Sequence, residues 1–183
     1  LKYEAQQINQ LVLIDQKKVN KNPYLLALQN WSETPFEKLA ITPGKAKGLK
    51  KIIERKSNFK QLNYIWTDFY PERIAVGSDR RVEFQYLMQL GCKTNPKVQG
   101  WYLDDGLYTY AGRPYSGLKD FINSVLKKLS YGLWWEEPQT VGGSSLINQA
   151  WLFRPNYAVP ELQSKQLHAM PKKWFTSKKI LEN

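Results

Sequence analysis

Histidine and cysteine are nearly absent from the chain: among 183 residues there is one of each, His168 and Cys92. A single cysteine excludes an intrachain disulfide framework, and one residue of each kind excludes the common structural zinc sites built from four such ligands. Cys92, in Leu87-Met88-Gln89-Leu90-Gly91-Cys92, reads as a small buried hydrophobe rather than a nucleophile. Long apolar runs are missing too, none approaching the roughly 20 residues of a membrane span, so the protein is expected not to be integral to a membrane. Acidic residues are scarce beside basic ones. Sixteen Asp and Glu against 27 Lys and Arg leave a formal net charge of +11, and that balance points to a polyanion, or to a larger protein assembly, as partner.

What the chain has in quantity is aromatic surface: 14% Phe, Trp and Tyr within 42% hydrophobic residues, enough to build one core at this length. The expected organisation is an N-terminal helical segment over residues 1–31, a main domain over 32–155 and a basic, Pro- and Lys-rich tail over 156–183. The first residue is Leu1, which fits a processed, trimmed or incomplete terminus alike. Import into an organellar matrix is a hypothesis consistent with the first of these.

Periodicity predicts helices over Tyr3–Ile14 and after Pro23. Thr34-Pro35-Phe36-Glu37 has the form of a capping box, predicting a short helix that Thr42-Pro43-Gly44 ends, and Lys45–Lys56 follows as a basic helix. Arg73-Ile74-Ala75-Val76 and the alternating Val82, Phe84, Tyr86 and Met88 read as strands of a hairpin around Gly77-Ser78-Asp79. Leu107–Tyr110 suggests another strand, pairing with Trp101-Tyr102-Leu103 in a second hairpin. Ser116–Leu129 carries Leu118, Phe121, Ile122, Val125, Leu126 and Leu129 at helical spacing. Leu133-Trp134-Trp135 and Ala150-Trp151-Leu152-Phe153 read as strands. The fold class expected is α+β: helices leading, a mainly antiparallel sheet following, and the 116–129 helix packed on it by its apolar face.

Two stretches resemble known families. The segment from Phe36 through Pro43-Gly44 to Ile52-Ile53 and Arg55, with Phe59 and Leu62, resembles the helix-hairpin-helix module of competence-type DNA receptors. There a Pro-Gly turn aims backbone amides at a phosphate. Ala46 stands where a second glycine is expected, and the spacing to the isoleucines is one residue short. Trp101-Tyr102-Leu103-Asp104-Asp105-Gly106 is similar to the acidic motif of LAGLIDADG homing endonucleases, and that similarity implies a divalent metal on Asp104 or Asp105.

The function expected is non-catalytic nucleic-acid binding, RNA or DNA, or a peripheral place in a ribonucleoprotein such as an organellar ribosome. Gly44, Lys45, Lys47, Lys50, Lys51, Arg55, Lys56, Lys60, Arg113, Lys172 and Lys173 are the candidate contacts. The alternatives are a metal-dependent endonuclease using Asp104 and Asp105, and a peripheral subunit of an organellar membrane complex. No cofactor is expected.

Overall fold

A computed structural model describes residues 9–15, 22–31 and 34–171. The chain divides into two compact units, Leu1–Gln61 and Leu62–Asn183.

In the first unit, strands β1 (Gln10–Asp15) and β2 (Lys38–Pro43) pair in parallel, with helix α1 (Pro23–Gln29) between them in the chain. Asn22 starts α1 by accepting the Tyr24 N–H at 3.1 Å, and Pro23 fills the first helical position, where a missing N–H costs nothing. Helix α2 (Gly48–Phe69) begins in this unit. Gly48 takes φ +57°, and the Glu54 carboxylate accepts the Ala46 N–H of the preceding loop at 3.2 Å. Asn58, fully buried, donates from Nδ2 to the Pro43 carbonyl at 2.8 Å and ties the end of β2 to the helix. The helix expected to begin at Thr34 is therefore strand β2 over its last residues. Of the helix expected over Tyr3–Ile14, the described part lies mostly in β1 and the rest falls outside the described residues.

The second unit holds a four-stranded sheet of β3 (Arg73–Val76), β4 (Gln99–Leu103), β5 (Gln149–Leu152) and β6 (Gln166–Ala169), in that order and parallel throughout. The class is α/β, which overturns the expected antiparallel sheet. Helix α3 (Val82–Thr94) connects β3 to β4, and α4 (Tyr108–Ala111) and α5 (Gly117–Tyr131) lie between β4 and β5. Helical crossovers stand where both hairpins are expected. Val82, Phe84 and Met88 satisfy a period of two, but Phe84, Gln85, Met88 and Gly91 also fall on one buried helical face, and burial on that face decides the conformation. Gly91 admits the Trp66 ring, which a Cβ there would meet at 2.9 Å. Cys92, next in α3, is exposed rather than buried. The segment expected to be a strand at Leu133–Trp135 is a turn, and the expected tail beyond Pro155 is ordered through β6.

Ile74, Tyr102, Ala150 and Leu152 from the sheet, with Phe84 and Met88 from α3 and Trp66 from α2, form the core. On the sheet face that carries the intervening positions, Trp101 lies 5.7 Å from Trp151, and Trp151 stacks on His168 at 4.5 Å. The 116–129 helix, realised as α5, does not bury its apolar side: Leu118, Phe121 and Leu129 are 74%, 66% and 79% exposed.

Candidate functional site

In parallel α/β sheets, ligands bind outside the carboxyl ends of the strands. Here β3 ends at Val76 and delivers Gly77, Ser78, Asp79, Arg80 and Arg81, while β4 ends at Leu103 and delivers Asp104 and Asp105. A Cβ at Gly77 would lie 3.1 Å from Cβ of Asp105, so the absence of a side chain at 77 gives the two chain ends room to run side by side.

The three carboxylates do different work. Asp79 is fully buried, and its two oxygens accept the Gly142 and Ser144 N–H groups at 2.9 Å each. These two amides, either side of Gly143, whose own N–H bonds the Thr140 carbonyl, hold the 140–144 loop onto Asp79. Burial raises the Asp79 carboxyl above the usual range, against the pull of those amides. Gly142 holds φ +82° and would drive a Cβ to 2.6 Å from the Tyr102 ring, so the loop requires glycine there twice over.

Asp104 is saturated. Its Oδ1 accepts from Gly106 N–H at 3.2 Å and from the Thr109 hydroxyl at 2.9 Å; its Oδ2 accepts the Phe153 N–H at 3.1 Å and the Tyr110 hydroxyl. The Thr109 proton points to Asp104, so the buried Tyr102 hydroxyl donates to Thr109 Oγ1 at 2.7 Å. Burial is the main reason that Tyr102 and Tyr110 both resist ionisation and remain donors.

Asp105 is the one left open. The Tyr102 hydroxyl stands 3.5 Å from its Oδ1, a long contact by hydrogen-bond standards. Partial burial holds its carboxyl above the usual range, the Asp104 charge adds to this, and Arg81 lowers it. Asp105 borders a pocket of ≈ 490 Å³ whose wall also includes Arg80, Arg81, Tyr108, Arg113 and Lys127. Four cations and one carboxylate therefore face the same space.

Three of those cations are braced from behind. Arg113 donates to the Pro138 carbonyl at 3.1 Å and to Asp120 at 3.2 Å, and its guanidinium lies over Tyr115. Glu137 receives Lys127 at 2.8 Å and Arg80 through Nε at 2.8 Å. Burial pushes the Glu137 carboxyl up, but Lys127 and Arg80 outweigh it and hold it below the usual range. Lys127 also sits 4.1 Å above the Trp135 ring.

The residues singled out from sequence are scattered over both units. Lys45, Lys47, Lys50, Lys51, Lys56 and Lys60 are exposed on α2 or just before it, with Lys45 paired to Asp15 at 2.9 Å, and Gly44 lies in the β2–α2 loop. Arg55 is buried, which corrects its expected role as a surface contact. Arg113 is in the pocket wall, its side chain 7% exposed and held by Asp120. Lys172 and Lys173 lie outside the described residues. Asp104 and Asp105 follow a strand rather than the helix of the endonuclease motif, and among the described residues no group of three or more His, Cys, Asp or Glu side chains is arranged to hold a metal ion. Arg80, Arg81, Asp79, Lys127 and Glu137 were not anticipated. The usable signal was Gly77-Ser78-Asp79-Arg80-Arg81 directly after a strand, once that strand is known to be parallel.

No family model matches the chain, and no curated protein matches it in sequence.

Proposed function

We propose that the second unit binds a small anionic, hydroxyl-bearing molecule at the carboxyl edge of its sheet, with Asp105 as proton acceptor for that hydroxyl. The observation that carries this reading is the division of labour between neighbours. Asp104 spends both oxygens on four donors, while Asp105, with only the long Tyr102 contact on its carboxylate, lines a pocket whose wall also holds Arg80, Arg81, Arg113 and Lys127. A pocket-lining carboxylate whose proton affinity is raised is suited to accept a proton from the hydroxyl of a molecule bound there. The cations supply charge-assisted hydrogen bonds to the anionic group of the ligand. In the proton step the hydroxyl O–H breaks, its proton passes to Asp105, and the electron pair of that bond stays on the ligand oxygen.

Inorganic sulfate, which stays doubly charged across the working pH range, is the probe for the anion site. Titration calorimetry should show binding to the wild-type protein that weakens at least about tenfold in Arg81→Ala, since a charge-assisted contact is worth roughly 1.5 kcal/mol or more. Equal affinity in the two proteins would remove the site.

A second reading keeps a nucleic acid as partner of α2, supported by the exposure of Lys50, Lys51, Lys56 and Lys60 on the helix and of Lys47 just before it. Binding of that kind weakens steeply with salt through counterion release. Absence of binding to single-stranded RNA and to duplex DNA at low salt contradicts it.

A further inference from the structure

Helix α5 is amphipathic with its polar side turned inward. Asp120, buried, accepts the Ser116 N–H at 2.9 Å and pairs with Arg113, and Lys127 one stretch along the same side is fixed by Glu137 and Trp135. These anchors set the rotation of the helix and leave Leu118, Phe121, Ile122, Val125, Leu126 and Leu129 facing outward, all exposed. At about 100° per residue the six occupy an arc of roughly 140° on the helix surface. Lys119 and Lys128, both exposed, fall on opposite margins of that arc. Leu133, 86% exposed, extends the apolar strip past the helix end, and Tyr115, exposed, precedes its start.

We propose that this face of α5 binds the surface of an anionic phospholipid membrane, lying in the interface with its leucines and Phe121 at the acyl boundary and Lys119 and Lys128 among the headgroups. Charge decides the occupant. The two lysines flank the apolar strip on both sides, the helix's one acidic residue, Asp120, is turned inward, and the protein carries a net +11. Pairing with a second copy through the same strip would set lysine margins against lysine margins, whereas a negatively charged bilayer attracts both. No described helix is long and apolar enough to cross a membrane, and α5 at 15 residues fits a helix that lies on one. Lipid binding here is separable from anion binding in the pocket, because the lipid-facing residues lie on the side of α5 opposite Lys127.

The test is co-sedimentation of the full chain with vesicles of phosphatidylcholine alone and with one third phosphatidylglycerol, at low and high salt. The expected result is binding to the anionic vesicles, at least tenfold weaker to the neutral ones and weakened by salt. Phe121→Glu with Leu126→Glu, both at exposed positions, should abolish vesicle binding while the circular dichroism spectrum and sulfate binding stay unchanged. Lys119→Glu with Lys128→Glu should lose the preference for anionic lipid. Three results would overturn the proposal: no binding of the wild-type chain to anionic vesicles, unaltered binding by the Phe121→Glu, Leu126→Glu protein, or a stable dimer in sedimentation velocity that those two substitutions dissociate and that does not bind vesicles.

Discussion

Two regions of this protein are rich in cations, and they are built differently. On α2 and just before it the lysines at 47, 50, 51, 56 and 60 stand exposed to solvent, close together in sequence. Around the pocket of the second unit Arg80 comes from the end of β3 and Arg113 and Lys127 from the β4–β5 crossover, and each is braced by a carboxylate, Glu137 or Asp120, itself almost wholly buried. A solvated lysine costs the fold nothing and is free to change; a half-buried cation held by a buried acid is stabilised only by that partner. Density of charge along a chain thus says little about where charge is organised.

The largest effect is expected from Asp79, whose carboxyl holds the 140–144 loop that brings Val141 to the pocket. Asp79→Ala leaves the buried Gly142 and Ser144 amides without their acceptor and is expected to cost about 3 kcal/mol, measured by urea denaturation, since each orphaned group costs roughly 1–3 kcal/mol. A loss under about 1 kcal/mol would show that the loop is held by other means.

Next in size is Glu137→Gln, which strips the brace from Lys127 and Arg80. Because both partners are about one third exposed, we expect about 2 kcal/mol at neutral pH rather than the larger cost of a fully buried pair. The folded-state pKa of Glu137 is depressed, so its contribution is complete above the ordinary glutamate range and is lost as pH falls through the depressed value. In Glu137→Gln that part of the acid-side loss of stability should vanish.

The smallest effect sharpens the contrast from the other side. Lys50→Gln with Lys51→Gln should change stability by no more than about 0.5 kcal/mol, as surface substitutions do. A larger change would mean that the α2 lysines are structural after all.

Parts of this architecture were legible in the sequence. Asn22-Pro23 marks the start of α1, the strand at Arg73–Val76 stands as expected, and the spacing of Leu118 to Leu129 marks α5. The faces were harder. Apolar residues on a helix normally point to the core, and α5 inverts this because its two inward ion-pair anchors, Asp120 with Arg113 and Lys127 with Glu137, pair the helix with the segments flanking it, a pairing that helical spacing alone does not reveal. Val82 to Met88 satisfies the strand and helix periods at once, and taking the first turned a parallel βαβ crossover into a hairpin. That error also hid part of the site. Asp104 and Asp105 stood out as a pair, but the assignment of one as structural and the other as open depends on Thr109, Tyr110 and Phe153, which reach Asp104 from α4 and from the end of β5.

The central claim is that Asp105 shares its pocket with a bound anion, and the pH dependence of sulfate affinity in wild type and Asp105→Asn tests it most directly. Protonating Asp105 removes a negative charge beside the ligand, so wild-type affinity should rise as pH falls through the raised pKa of that carboxyl. The Asp105→Asn protein should bind as tightly as the protonated wild type and lose that rise. An unchanged affinity and pH profile in Asp105→Asn would contradict the account.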